Sequence, residues 1–335
     1  MKKIAIIIDK TGWAFSNAAN QIKKHLSKFY DIEIISMDVF KDNIVKLFIL
    51  GLDYDLMFFM WRGQISWLQS EYSKKYITEL GFEYEEFLEK FLLQKNIVTG
   101  VYDHLFVNSE KERTDFIFKY VSDYIVCSKK LEIIYNNMNE IKKPSAVISD
   151  GVDLSMFSMK DTDKYNKPSE KLIIGWCGNS KFTDETDDDL KGLRKIIIPA
   201  VEELKNEKYN VELNIADRNI KMIQHKDMPE YYNSIDVYVC ASRTEGHPDT
   251  VIEAMACGVP VISTDVGIIN ELFKEKQKQL VIERDKESLK EKIKLLIENR
   301  KMLSEISKEN VEAVKDWTWE KQAMKYKEFF DKNLV

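Results

Sequence analysis

The chain has 335 residues, of which 44% are hydrophobic and 32% are charged. At roughly 150 residues per domain this length predicts two domains, and the apolar fraction is high enough for ordinary cores, which excludes wholesale disorder. The 50 basic and 56 acidic residues give a formal net charge of −6, so the composition excludes the basic field of a nucleic-acid-binding protein.

The N-terminal part has the pattern of neither a membrane-spanning nor a secretory segment. The apolar stretch 44–61 is interrupted by Asp53 and Asp55, whereas a spanning helix needs about 20 mostly apolar residues. The apolar run 4–8 is too short for a signal peptide. The cysteines are widely separated and form no metal-ligand or disulfide pattern: Cys127, Cys177, Cys240 and Cys257. We therefore expect a cytoplasmic protein with reduced thiols.

In the first half of the chain, apolar runs rich in β-branched residues alternate with segments of helical spacing. The runs predict strands at residues 4–8, 32–36, 56–60, 97–101, 124–127 and 145–148. The intervening segments predict helices at residues 16–29, 83–94, 111–120 and 130–138. Strands that alternate with helices imply βαβ units and a parallel sheet.

Residues 159–171 interrupt this alternation, because they are polar and aperiodic, and they predict a linker between domains. Beyond them, the pattern predicts strands at residues 172–176, 211–215, 235–240, 259–263 and 280–282. It predicts helices at residues 189–206, 228–234 and 248–257 and from 286 onward. The sequence therefore predicts an α/β protein with two doubly wound, Rossmann-like parallel-sheet domains, at residues 1–158 and 171–315, followed by an aromatic helix in 316–335.

Segment 241–260 carries the strongest functional pattern. A strand ends, a loop carries Glu245 and Gly246, and a helix follows that Pro248 and Gly258 bracket. Ligands of parallel sheets bind beyond the carboxyl ends of the strands, and the free N–H groups of a helix start attract anions. Carboxylates beside such a helix start suit a ligand that is both phosphorylated and rich in hydroxyls. The alternative, an ordinary strand–loop–helix with solvated glutamates, is equally consistent with this pattern alone.

Glu245 and Glu253 in this setting resemble the E-x7-E motif of retaining glycosyltransferases with the GT-B fold, family 4 in the sequence-based classification. The resemblance continues through residues 253–267 and includes the preceding helix and strand at 228–239. It covers most of the second predicted domain and its connections, and the first domain only loosely.

The resemblance also assigns the domain connections. Residues 151–157 resemble the family's domain junction, and the segment from Trp319 resembles its closing helix, which crosses back onto the first domain. It implies a GT-B fold with an interdomain cleft: an acceptor domain at 1–158, a nucleotide-sugar donor domain at 171–315, and the crossing helix at 316–335.

The motif residues acquire roles from the same resemblance. Glu253 is expected to bind the ribose of a nucleotide-sugar donor, and Glu245 is expected to contact the donor sugar. Backbone amides of the loop between them would hold the sugar and the distal phosphate, which gives the donor-binding residues Gly246, His247, Thr250 and Val251. Residues 247–249 depart from the usual loop sequence, so the preferred sugar stays open.

The family places a lysine and an arginine against the diphosphate. Lys191, followed by Gly192, matches the family's Lys-Gly signature, although the residue alone would favour a solvated lysine at a helix end. Asn179 stands where the family has its arginine. Lys181 or Arg218 is therefore the candidate for the second donor-binding cation.

Two residues of the first predicted domain join this site by resemblance. Gly12 follows the first strand, where the family has a glycine-rich loop whose amides approach the diphosphate. His104 follows the strand 97–101, where the family has a histidine that faces the donor sugar. The expected catalytic residues are thus His104, Lys191 and Glu245. Residues 61–64 follow another strand and suggest an acceptor contact, although an aromatic cap on the domain core is favoured.

The resemblance implies retaining transfer of a sugar from a nucleoside-diphosphate sugar to a carbohydrate, lipid-linked glycan or protein acceptor, with cell-surface glycan assembly as the default role. No cofactor and no metal are expected, because no Asp-x-Asp motif is assigned to the diphosphate. Residues 187–189 are expected to be a solvated helix start. Two rivals stay open: a nucleotide-sugar epimerase of GT-B fold, and a non-catalytic sugar-nucleotide-binding partner.

A peripheral contact with the inner face of the membrane also stays open. Lys74, Lys75 and the aromatic segment 82–91 suggest it, but the acidic residues within that segment argue against a basic membrane-binding face. The base, the sugar, the acceptor, the linkage and the oligomeric state are not specified by the sequence.

Overall fold

The chain divides into two compact units, Met1–Gly151 with Trp319–Val335, and Val152–Thr318. The computed structural model describes residues 1–41, 43–50, 53–105, 111–166, 171–181 and 189–334. Within those ranges, every helix is too short or too polar to cross a lipid bilayer.

The first unit contains a six-stranded sheet in which every pairing is parallel. Its strands are β1 (Lys3–Ile8), β2 (Asp31–Ser36), β3 (Leu56–Phe59), β4 (Ile97–Val101), β5 (Asp123–Val126) and β6 (Ala146–Val147). Their spatial order is β2-β1-β3-β4-β5-β6. The continuous apolar run of β1 is buried on both faces, as expected for a parallel strand covered by helices on each side.

Helices cover both faces of this sheet. They are α1 (Ala14–Leu26), α2 (Ile44–Leu50), α3 (Glu71–Glu79), α4 (Tyr84–Leu88), α5 (Lys111–Tyr120), α6 (Lys129–Asn136) and, from the end of the chain, α14 (Trp319–Asn333). Helical turns of other pitch lie at Met37–Phe40, Arg62–Gln69 and Glu89–Leu93. The aromatic face of α14 is buried in the first unit, where Tyr326 and Phe330 pack with Phe58 of β3.

The second unit contains a five-stranded parallel sheet. Its strands are β7 (Leu172–Gly178), β8 (Val211–Asp217), β9 (Val237–Cys240), β10 (Val261–Thr264) and β11 (Val281–Ile282), in the order β11-β10-β9-β7-β8. Its helices are α7 (Ile198–Asn206), α8 (Met228–Ser234), α9 (Asp249–Ala256), α10 (Ile269–Leu272), α11 (Glu275–Lys278), α12 (Lys286–Glu298) and α13 (Arg300–Ala313). Shorter turns lie at Lys164–Asn166, Leu193–Ile197, His225–Asp227 and Val314–Trp317.

The strand order of each sheet reverses at one point. In the first sheet the chain leaves β1 toward β2 and then continues on the other side with β3, and in the second sheet β7 separates β8 from β9 in the same way. Ligands of open parallel sheets bind beyond the carboxyl ends of the strands at such a switch point. The topology therefore predicts ligand sites at the carboxyl ends of β1 and β3 in the first unit and of β7 and β9 in the second.

The first domain boundary lies earlier in the chain than the sequence predicted. Val152 and Phe157, assigned by sequence to the first domain, are buried in a core of the second unit. The N–H of Val152 donates to the carbonyl of Trp317 over 2.9 Å, and Val152 forms a parallel bridge with Thr318. The chain thus enters and leaves the second unit at neighbouring points.

The predicted linker 159–171 is not a free connection, as far as the structure describes it. The Lys164 ammonium donates to the carbonyl of Asn233 over 3.0 Å and lies 3.6 Å from a carboxylate oxygen of Asp236. A polar, aperiodic sequence can thus pack closely when its charges meet carbonyls and carboxylates of another segment. Residues 167–170 lie outside the described residues.

The predicted helix 189–206 begins later, at residue 193. Asp189 and Gly192 have φ angles of 40° and 71°, which lie outside the right-handed helical region and form a turn before the helix. Asp189 is buried, and its carboxylate accepts from the N–H of Lys195 over 2.7 Å. The expectation of a solvated helix start is therefore wrong for Asp189, and residues 187 and 188 lie outside the described ranges.

Candidate functional site

The predicted motif lies at the switch point of the second sheet. β9 ends at Cys240, and the loop that follows carries Glu245, while Glu253 lies within α9. β7 ends at Gly178 and is followed directly by Asn179. The carboxylates of Glu245 and Glu253 therefore follow the carboxyl end of β9, at the edge of the sheet where a ligand is expected.

Lys191 and Glu245 form an ion pair at this edge. The Lys191 Nζ lies 2.5 Å from the Glu245 Oε1, and their side chains are 29% and 17% exposed. Burial disfavours the charge of Lys191, but the charge and hydrogen bond of Glu245 more than offset it, so the pKa of Lys191 lies above its ordinary value. Lys191 is therefore a charged, partly buried side chain held by Glu245, and its role toward a donor stays a prediction.

The turn before Lys191 is attached to the loop after β9. The N–H of Arg243 donates to the carbonyl of Leu190 over 2.8 Å. The Arg284 guanidinium donates to the carbonyl of Asp189 over 2.6 Å and to that of Ala241 over 3.1 Å. These bonds fix the relative position of the two loops. Arg284 carries no signal in the sequence, because its partners are backbone carbonyls that no motif marks.

Gly192 allows the closest approach between these loops. A Cβ at Gly192 would lie 2.4 Å from the Ala241 carbonyl oxygen, and the residue has a φ of 71°. We therefore expect Gly192→Ala to lower the free energy of unfolding by about 3 kcal/mol, since strain of a left-handed backbone adds to overpacking. Urea denaturation measures this. Gly81→Ala is the matched control, because Gly81 has a φ of 84° but a Cβ there would meet no non-neighbouring atom within 4 Å. Equal losses of unfolding free energy in the two variants would contradict the steric argument.

Glu253 is almost fully buried, and both of its carboxylate oxygens are engaged. Oε1 lies 2.9 Å from the His225 Nε2, and Oε2 accepts from the Tyr232 hydroxyl over 2.8 Å. Burial raises the pKa of Glu253, whereas the hydrogen bond with Glu253 raises the pKa of His225. Neither His225 nor Tyr232 was selected from the sequence as a partner of this carboxylate.

The loop between the two glutamates is compact. Gly246 and Val251 are buried, and Thr250 is half-buried. The His247 Nδ1 lies 2.8 Å from a carboxylate oxygen of Asp249, so an acid in the first turn of α9 is paired within the loop. The N–H of Val251 already donates to the Pro248 carbonyl over 2.9 Å. The role of these four predicted donor-binding residues stays a prediction.

A separate polar network follows β7 and β8. The Asn179 side-chain oxygen accepts from the Asn219 amide over 2.6 Å and from the Lys181 N–H over 3.0 Å. Burial of Asp217 opposes its charge, but hydrogen bonds from Ser180 and Asn219 lower its pKa. Lys181 and Arg218 are exposed at this edge. The assignment of either residue as the second donor-binding cation stays a prediction.

In the first unit, Arg62 supports the loop that carries His104. Arg62 is fully buried, donates to a carboxylate oxygen of Asp103 over 2.8 Å, and also donates to the Leu105 carbonyl. His104 is half-buried between these two contacts, after β4. The suggested acceptor contact at 61–64 therefore includes a buried arginine that braces the loop. Gly12 follows β1 with a φ of 80° in an exposed turn.

Known proteins are similar to this chain in sequence and in fold. Residues 177–312 match the family described as Glycosyl transferases group 1. An uncharacterized glycosyltransferase of Methanocaldococcus jannaschii is 29% identical over 235 residues, which cover 67% of this chain and 64% of the relative. The O-antigen biosynthesis glycosyltransferase WclY of Escherichia coli is 26% identical over 175 residues, 47% of each chain. The alignments thus span about half to two thirds of these curated relatives.

Among solved structures, HepE of Anabaena in complex with UDP and glucose has a similar fold. The TM-score is 0.68 at 12% identity, and the match covers 99% of this chain and 100% of the other. This likeness and the two parallel sheets of six and five strands confirm the predicted α/β fold of the GT-B class.

Proposed function

We propose that this chain, whose second unit carries a glycosyl transferases group 1 domain, is a retaining, metal-independent glycosyltransferase. It transfers a sugar from a nucleoside-diphosphate sugar to a carbohydrate, lipid-linked glycan or protein acceptor in cell-surface glycan assembly. The observation that carries the proposal is the set of Glu245, Lys191 and Glu253 at the switch point of a parallel sheet. The O-antigen relative supports a role in glycan assembly, and the UDP complex of HepE supports a nucleotide-sugar donor.

Each charged group of the set matches one part of such a donor. The buried carboxylate of Glu253 accepts from ribose hydroxyls, and that of Glu245 accepts from hydroxyls of the sugar. Lys191 faces the diphosphate. Because Lys191 and Glu245 are paired in the free protein, the donor replaces one ion pair by two new contacts, a phosphate on the ammonium and a hydroxyl on the carboxylate.

In the transfer, the bond between the anomeric carbon and the phosphate oxygen breaks. The acceptor oxygen bonds to the same carbon from the same face, and its proton passes to the leaving phosphate. Negative charge grows on the diphosphate, and Lys191 stabilises it. By resemblance, the loop amides at 246–251 and Gly12 assist, Lys181 or Arg218 supplies a second cation, and His104 contacts the sugar. We propose that these cations serve in place of a metal ion.

The test is a melting-temperature screen with UDP-, GDP-, ADP- and CDP-sugars, followed by turnover in excess EDTA with a panel of acceptors. We expect one donor class to raise the melting temperature by several degrees, because a ligand that binds only the folded state stabilises it. We also expect transfer to survive EDTA. Stabilisation by none of the donors would contradict the proposal, and a strict Mn²⁺ requirement would contradict metal independence. Isomerisation of the donor alone would favour the epimerase, and binding without any turnover would favour the non-catalytic partner.

A further inference from the structure

His225 lies on the solvent side of the Glu253 carboxylate. It opens the turn His225–Asp227 before α8, and its ring packs against Phe157 with ring centroids 5.3 Å apart. The side chain of His225 is 42% exposed, whereas that of Glu253 is 12% exposed. A ligand that approaches Glu253 from solvent therefore meets His225 beside the carboxylate.

His225 and Tyr232 together use half of the hydrogen-bonding capacity of the Glu253 carboxylate. An ionised carboxylate has about four acceptor positions, two on each oxygen. His225 occupies one position on Oε1, and Tyr232 occupies one on Oε2. One position on each oxygen is left over from these two contacts, and a ribose carries two neighbouring hydroxyls that can donate to such a pair.

A positive charge beside Glu253 favours its ionised carboxylate over the neutral acid. Burial favours the neutral acid of Glu253, and a protonated carboxyl group would lose acceptor capacity and gain a donor. The hydrogen bond and charge of His225 oppose this protonation. The other titratable groups with the largest interactions with the pair are acids, hydroxyls and thiols: Asp153, Asp249, Tyr232, Cys177 and Cys257. Among these described groups, His225 alone can supply positive charge.

We propose that His225 is a positioning residue of the nucleotide site, which holds the Glu253 carboxylate ionised and oriented to accept both ribose hydroxyls of the donor. The inference rests on the proposed function, because that function assigns the ribose to Glu253. Tyr232 fixes the other oxygen from the interior of the unit, so the two donors together set the plane of the carboxylate.

The test compares His225→Phe and His225→Gln with the unchanged protein in calorimetric binding of UDP, GDP, ADP and CDP. Each nucleotide is paired with its 2′,3′-dideoxy analogue, which lacks the ribose hydroxyls. We expect His225→Phe to weaken binding of the ribonucleotide about tenfold or more, the effect of one hydrogen bond to a charged group, and to leave binding of the dideoxy analogue unchanged. His225→Gln keeps an N–H donor and is expected to recover part of the affinity at neutral pH.

The pH profile separates positioning from mere packing. Without His225 the pKa of Glu253 rises further, so we expect affinity to disappear at a higher pH on acidification in both variants than in the unchanged protein. His25→Phe, in α1, is the matched control and is expected to leave the profile in place. Two results would overturn the inference while the proposed function stands. One is an equal loss of affinity for the ribonucleotide and its dideoxy analogue. The other is a loss of affinity on acidification at the same pH in the variants and in the unchanged protein. No nucleotide binding by the unchanged protein would overturn both.

Discussion

Replacing Glu253 by Gln is expected to weaken binding of the nucleotide-sugar by about a hundredfold, which corresponds to about 3 kcal/mol. Gln has the shape of Glu but offers one acceptor oxygen where two are needed. Its NH₂ group must face His225 or Tyr232, both of which donate to the carboxylate. Each hydrogen bond to a charged group contributes about 1.5–3 kcal/mol, so the loss of charge and of one acceptor accounts for the expected size. Calorimetric titration with the donor measures it.

The control for this variant is Glu305→Gln, because Glu305 is a surface carboxylate in an ion pair with Lys276. We expect Glu305→Gln to leave affinity unchanged. The melting temperature of the ligand-free variants shows whether a loss at Glu253 reflects the binding contact or the stability of the unit. An unchanged affinity in a folded Glu253→Gln protein would remove the ribose assignment.

Replacing Lys191 by Ala is expected to lower kcat by about 10²- to 10³-fold, the usual loss when one group that stabilises developing charge is removed. The ammonium lies 2.5 Å from Glu245 in the free protein, and the charge and hydrogen bond of that carboxylate keep it charged in spite of burial. In the proposed transfer the same charge would offset that of the diphosphate. Because this charge grows as the bond breaks, kcat is expected to fall more than KM rises. Steady-state kinetics with the donor found in the melting-temperature screen measures both.

Lys276→Ala is the matched control, since Lys276 also pairs with a glutamate over 2.5 Å but is 46% exposed on the surface. Exposed pairs contribute little, so we expect no change in either constant. A Lys191→Ala enzyme with unchanged kcat and a raised KM would show that Lys191 binds the ground state only. An equal loss of kcat in Lys276→Ala would show that the effect is not specific to the site.

The strands could be predicted from the sequence because each is marked by an apolar run within its own segment of the chain. The run at 4–8 has no polar residue, and the run at 97–101 has only Thr99, whose buried hydroxyl donates to the Phe59 carbonyl. Both are strands buried on two faces. The helix Ile44–Leu50 was missed, because its apolar residues run on without helical spacing. The late start of the helix at 193 was also missed, since it depends on the backbone angle of Gly192 and on a buried Asp189.

The candidate site was predictable where a motif marks it and not where distant residues meet. Glu245 and Glu253 follow from their spacing around a strand–loop–helix. The pairing of Glu245 with Lys191 depends on the sheet order, which brings the end of β9 beside the turn after β7. Arg62 and Arg284 hold loops through backbone carbonyls, which leave no trace in a sequence pattern.

The return of α14 to the first unit has a consequence for how the chain is made. Tyr326, Phe330 and other residues of α14 complete a core whose remaining members precede residue 152. The whole of the second unit is synthesised between these two parts of the core. During synthesis on a ribosome, apolar surface of β1 and β3 in the first unit therefore stays uncovered until α14 emerges. The second unit is continuous in sequence and has all of its strands before that moment, so it can fold first.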